Sequence, residues 1–157
     1  MCIYQVRSPP LFIEIHHLII QGPSASCSSK TIFREMSSEA KQAMLDKHNE
    51  LRRRVAKGEE TGGTNGPQPG ASNMKKLVWS DELASLAQRW ADQCTFGHDT
   101  SREKLDETSV GQNAYWGANS QQEEQAAIQG KQSNAAQNWY DEVTDPGFDS
   151  QNINPYV

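Results

Sequence analysis

The chain is short of cysteine, aromatic residues and long apolar runs, and it carries no excess of positive charge. Its 157 residues include three cysteines, Cys2, Cys27 and Cys94. These are too few and too scattered for a zinc ribbon, whose ligands come as closely spaced pairs. In a secreted chain they would make one disulfide and one leftover thiol, but the count alone leaves the compartment open. No run approaches the roughly 18 apolar residues of a membrane-spanning helix. The net charge of −5 argues against a nucleic-acid or anionic-membrane binder, which would present a basic surface. Gly62-Gly63 is not a phosphate loop, because no Lys-Ser/Thr follows it and no strand precedes it. There is no internal repeat. The length suits one domain with a real core, while 35% hydrophobic residues and a mean hydropathy of −0.79 leave room for much loop.

The strongest signal lies over residues 75–98, KKLVWSDELASLAQRWADQCTFGH. Trp79, Leu83, Leu86, Ala87, Trp90, Ala91 and Cys94 recur at steps of three and four, the stripe of an amphipathic helix. Ser80 is the expected N-cap, Asp81 and Glu82 suit the positive end of the dipole, and Gly97 is the expected stop. The tryptophans of this helix are expected in the core.

An earlier helix is expected from Ser37 or Ser38 to about Lys57, with Ala40, Met44, His48, Leu51 and Val55 as its apolar stripe. His48 reads as a hydrogen-bonded core histidine. Arg52, Arg53, Arg54 and Lys57 read as a solvated face at the negative end of the dipole, with a binding patch as the second reading. Residues 58–72, rich in Gly, Pro, Thr and Asn, are expected to form a surface loop with turns at Asn65-Gly66 and Pro69-Gly70. Residues 109–117 alternate as a short strand, 119–131 read as a helical turn or loop, and 133–143 as a third helix ended by Asp145-Pro146-Gly147. One short strand is not stable alone, so the rest of its sheet is unaccounted for.

Residues 1–37 read as a leader. Leu11 to Ile20 is apolar but interrupted by Glu14, His16 and His17, and the small residues Ser24-Ala25-Ser26 follow. That is the outline of a degenerate signal peptide, with a disordered leader or a misplaced start as alternatives. The pair His16-His17 with Glu14 reads as a chance tract rather than a metal cluster, because no partner ligands stand nearby at helical spacing.

Several groups of residues, in order, carry a family resemblance. They are His48-Asn49-Glu50-Leu51-Arg52, then Leu77-Val78-Trp79-Ser80-Asp81-Glu82-Leu83-Ala84 continuing through Trp90 to His98-Asp99, then Gly111-Gln112-Asn113, and Trp139-Tyr140-Asp141-Glu142-Val143. Together they resemble the CAP superfamily of cysteine-rich secretory proteins, antigen 5 venom allergens and pathogenesis-related class 1 proteins. Within it the chain is similar to the arthropod venom allergen branch. The resemblance covers residues 38–157 and implies an α/β fold, a three-layer α-β-α sandwich that is incomplete at its C-terminus. Its motif residues here are His48, Asn49, Arg52, Gly111 and Asn113. It also implies a cavity lined by His98, Gln112 and Glu142, where many members place two His and two Glu, sometimes with zinc. Gln112 stands at the first Glu position, and the Gly-His-Tyr-Thr-Gln motif that supplies the second His does not occur. His98 and Glu142 alone make no complete metal site, so no cofactor is expected, and zinc only in a full-length form. The expectation is a truncated or fragmentary chain whose exposed sheet edges favour aggregation. Cys27 and Cys94 are the disulfide pair that the resemblance implies. Ser101 stands where venom-allergen members usually carry another cysteine, so that second disulfide is lost.

The implied function is that of a secreted, extracellular, non-enzymatic protein that binds sterol or another lipid, or a host or target protein, with no nucleic acid and no transmembrane segment. The alternative is a metal-assisted peptidase using His98 as general base and Glu142 as its orienting partner. No nucleophilic Ser or Cys is identifiable for it. An ion-channel toxin is disfavoured because the Cys-rich C-terminal module of such proteins does not occur in this sequence.

Overall fold

The computed structural model describes residues 2–6, 13–18, 36–93, 96–100, 110–115 and 134–150. The fold is α/β. In chain order its elements are β1 (Cys2–Val6), β2 (Ile13–Leu18), α1 (Ser38–Ala56), β3 (Leu77–Trp79), α2 (Asp81–Ala91), β4 (Val110–Ala114) and α3 (Asn134–Asp141). A wide turn over Val143–Gly147 follows, closed by Gly147 N–H donating to Glu142 O and Phe148 N–H to Val143 O.

The strands form one sheet in the order β3-β2-β1-β4. β1 is antiparallel to both β2 and β4, and β2 is parallel to β3. Thus the sheet left unaccounted for by a single strand is completed through residues 2–6 and 13–18, inside the segment read as a leader. Glu14 and His16, which interrupt the apolar run there, alternate with Ile13 and Ile15 at the period of two that a strand requires. The register sets Ile13 opposite Leu77 and Ile15 opposite Trp79.

Helix α1 matches its expected span. The Ser37 hydroxyl accepts from Ala40 N–H at 3.1 Å, satisfying one of the free donors of the first turn. Ala40, Met44 and Leu51 are its buried face. Helix α2 starts after Ser80 as expected, but its stripe and its C-terminal end depart from expectation. Leu77–Trp79 is a strand, so Trp79 is not part of the helical stripe. The helix ends at Ala91, well before Gly97. Periodicity does not separate a strand of three apolar residues from the turn of helix that follows. Ser80 sits at the N-cap without a side-chain cap bond. Cys27, Cys94 and the 119–131 segment lie outside the described residues, as does the implied disulfide. Helix α3 ends at Asp141, two residues short of its expected end.

Among the described residues, two apolar clusters make the core. Met36, Ala40, Met44, Leu77 and Ala136 form one, with Leu45, Trp79 and Trp139 packed against it. Leu83, Leu86, Ala87 and Val110 form the other, flanked by Trp90. Trp79, Trp90 and Trp139 are each partly buried, and each of their indole N–H groups has an acceptor: Asp81 Oδ1 for Trp79, Gly97 O for Trp90 and Ala114 O for Trp139. This is how a large ring with one donor is accommodated at a core boundary. Among the described residues, no helix is long and apolar enough to cross a membrane.

Candidate functional site

The motif His48-Asn49-Glu50-Leu51-Arg52 bolts α1 to the chain before α2. Asn49 Nδ2 donates to Leu77 O at 3.1 Å, and its Oδ1 accepts from Leu77 N–H at 2.8 Å. One turn on, Arg52 Nε and Nη2 both donate to Lys75 O, at 3.1 and 2.8 Å. Arg52 is therefore a backbone clamp, not part of a solvated face. His48 Nδ1 lies 2.9 Å from Met44 O, and its ring tilts against Trp139 with centroids 6.2 Å apart. Burial holds the His48 pKa below its ordinary value, opposed by the Met44 bond and assisted by the nearby Arg52 charge. His48 is thus hydrogen-bonded, as expected from the sequence, but half-buried at the edge of the core rather than within it.

His98 and Gln112 meet. Asp99 N–H donates to Gln112 Oε1 at 2.9 Å, and His98 Nδ1 lies 2.8 Å from the same oxygen. A carbonyl oxygen only accepts, so Nδ1 carries the proton and donates. In the neutral ring, Nε2 then holds the lone pair on an exposed side chain. Gln112 Nε2 is buried with no hydrogen-bond partner among the described residues. Strand β4 supplies Gln112 with Gly111 and Asn113 on either side, all three half-buried.

Glu142 is exposed on the turn after α3. It does not hydrogen-bond to His98, and its side chain makes no cap bond. The zinc that the resemblance implies does not fit the residues described. Gln112 Oε1 is committed to two donors, Glu142 is not drawn to His98, and no group of three or more His, Cys, Asp or Glu side chains among the described residues is placed to hold a metal ion.

A third cluster was not legible in the sequence. Glu60, within the segment expected to be a surface loop, is 4% exposed. Its carboxylate accepts from Tyr140 Oη and from Gly62 N–H at 2.6 Å, and forms an ion pair with Arg54, whose Nε lies 3.3 Å away. Arg54 also lies over the Tyr140 ring, 5.8 Å from its centroid. The Tyr140 hydrogen bond, resisted by burial and supported by Gly62 and Arg54, holds the Glu60 carboxyl below the usual range. Burial, then the bond to Glu60, pushes the Tyr140 hydroxyl well above its ordinary value. The only local hint was Glu60 itself, a charged residue beside Gly-rich sequence, and nothing there indicates a partner eighty residues away.

The profile of the CAP family, the Cysteine-rich secretory protein family, matches residues 45–154. The chain belongs to the CAP family. Its relatives include venom allergen 5 of Vespula maculifrons, 42% identical over 118 residues that make up 75% of this chain and 55% of that protein. Venom allergen 5.02 of Dolichovespula maculata is 48% identical over 102 residues, 63% of this chain and 47% of that protein. Venom allergen 3 of Solenopsis invicta is 59% identical over 73 residues, 46% of this chain and 31% of that protein. The chain spans about half the length of the first two relatives. In this CAP chain the family motif on α1 and the Leu77–Trp79 strand are joined by the Asn49 bonds described above.

Proposed function

We propose that this CAP protein is secreted and acts by binding, taking a sterol or other lipid or a target protein, without catalysing a reaction. The reading includes the three-layer α-β-α arrangement that the resemblance implies. Its support is that α2 packs on β1 and β2, α1 on β3, and α3 on α1. The observation that carries the non-enzymatic part is the environment of His98. Its Nδ1 is held by a neutral amide that a backbone N–H also engages, so the group that orients the ring among the described residues is not a carboxylate able to stabilise an imidazolium. On this reading His98, Gln112 and Glu142 line a ligand-facing surface, and Cys27 pairs with Cys94 in the disulfide of the secreted form.

The test is a titration of the protein with a fluorescent sterol analogue, alongside a peptidase assay on casein. Saturable sterol binding by the parent chain, with no peptide cleavage by the parent chain or by His98→Ala, supports the reading. Cleavage that disappears in His98→Ala overturns it in favour of the peptidase alternative. Absence of saturable sterol binding removes the sterol and leaves another lipid or a protein target.

A further inference from the structure

The 58–72 loop is held to the segment after α3 by a short set of bonds. Asn65 Nδ2 donates to Asp149 Oδ2 at 2.7 Å, Thr64 N–H to Phe148 O at 3.1 Å, and Gln68 Nε2 to Phe148 O at 3.2 Å. Asn65 is exposed and followed by Gly66, the one Asn-Gly pair in the sequence. Gly66 has φ +104°, and nothing lies within 4 Å of the position a Cβ would take. Among the described residues, the Gly66 N–H donates to no acceptor. An electrophilic side-chain amide thus stands next to an unhindered, unengaged backbone nitrogen.

We propose that Asn65 is a site of spontaneous covalent modification, at which the Gly66 backbone nitrogen displaces the side-chain amide and the acid produced breaks the Asn65–Asp149 staple. In the first step the Gly66 nitrogen bonds to Asn65 Cγ, the Cγ–Nδ2 bond breaks, and ammonia leaves with the proton that was on the Gly66 nitrogen. The product is a five-membered succinimide. Water then adds to one of its two carbonyls, and the ring opens to aspartate or isoaspartate. No oxidant, metal or enzyme takes part. The other asparagines of the described residues are followed by residues with side chains, such as Met74 after Asn73 and Ala114 after Asn113, which crowd the same attack. The modified residue has lost the amide N–H that Asp149 accepts and carries a carboxylate facing another carboxylate. Like charges at that separation repel, so the staple opens and the loop is freed from the segment after α3.

The test has two parts, both on the full chain. The protein is aged at mildly alkaline pH and mapped by peptide mass spectrometry with enzymatic labelling of isoaspartate. Amide-to-acid conversion at Asn65 before any other asparagine, with isoaspartate present, is the expected result. An intact Asn65 after Asn73 or Asn113 has converted overturns the chemistry. For the consequence, hydrogen exchange is read at Thr64 N–H. Asn65→Asp is expected to exchange roughly tenfold faster than the parent chain, as a locally opened segment does. Asn65→Asp combined with Asp149→Asn restores a donor–acceptor pair with the roles reversed, and is expected to recover slow exchange. Unchanged exchange in Asn65→Asp, or no recovery in the double variant, overturns the release of the loop.

Discussion

The side chain of Asn49 satisfies both backbone groups of Leu77, donating to its carbonyl at 3.1 Å and accepting its N–H at 2.8 Å. It replaces a strand partner on the side of β3 that faces α1. Truncation leaves two backbone groups at the core boundary without partners, and each such group costs more than a hydrogen bond is worth. Asn49→Ala is expected to lower stability by about 2 kcal/mol in urea unfolding. Asn49→Asp keeps only the acceptor and is expected to fall between the two.

Tyr140 and Glu60 determine part of the acid stability. The folded Glu60 carboxyl lies below its ordinary 4.5, so the carboxylate contributes stability that is fully present above that value. As pH falls, the unfolded chain takes up the proton first, and the contribution is lost until the folded carboxyl is protonated as well. Tyr140→Phe removes the largest cause of the depression. The variant is expected to be about 1 kcal/mol less stable at neutral pH. Its stability should also decline less steeply through the carboxylate range. Thermal melts from neutral pH downward read both effects, and parallel curves for the two proteins would contradict this account.

Gly63 is required by space as well as by backbone. It has φ +143°, and a Cβ there would meet Gln68 Nε2, with Gly66 O at 2.6 Å and Phe148 O at 3.0 Å. Gly63→Ala is expected to cost about 2 kcal/mol, because strain and displacement of the buried Gln68 add. Gly66→Ala meets open space and is expected to cost about 1 kcal/mol from its positive φ alone. Chemical denaturation of the pair separates the two terms.

Gln112 positions His98 by selecting its tautomer. In the parent chain, nitrogen-resolved NMR of the neutral ring is expected to show the proton on Nδ1, because Gln112 Oε1 accepts from it. Gln112→Leu removes the acceptor, and the signal is expected to move towards a mixture with the Nε2–H form. A ring already on Nε2–H in the parent chain would contradict the geometry.

Local patterns carried much of this fold. Ala40, Met44 and Leu51 repeat at helical spacing, and Ser37 precedes them, so α1 and its cap were readable from neighbouring residues alone. The stripe from Leu83 to Ala91 was equally plain, but it ran through Trp79, because three apolar residues before a helix fit either period. Residues 2–6 and 13–18 read as a leader since a strand is defined by its partner, and β4 lies about a hundred residues away.

The order of motifs determined by itself that this is a CAP chain, and the replacement of a carboxylate by Gln112 was visible in one letter. Tertiary structure alone decided what those residues do. Arg52 looked like surface charge and is a clamp on Lys75 O, Glu60 looked like loop and is a buried acceptor for Tyr140 ion-paired with Arg54, and Glu142 looked like a partner for His98 and faces solvent. The physical reason is common to all three. Helical and strand periods report which face of an element meets the core, whereas a hydrogen bond depends on where a distant segment places its acceptor, and that position is fixed only when the whole chain has packed.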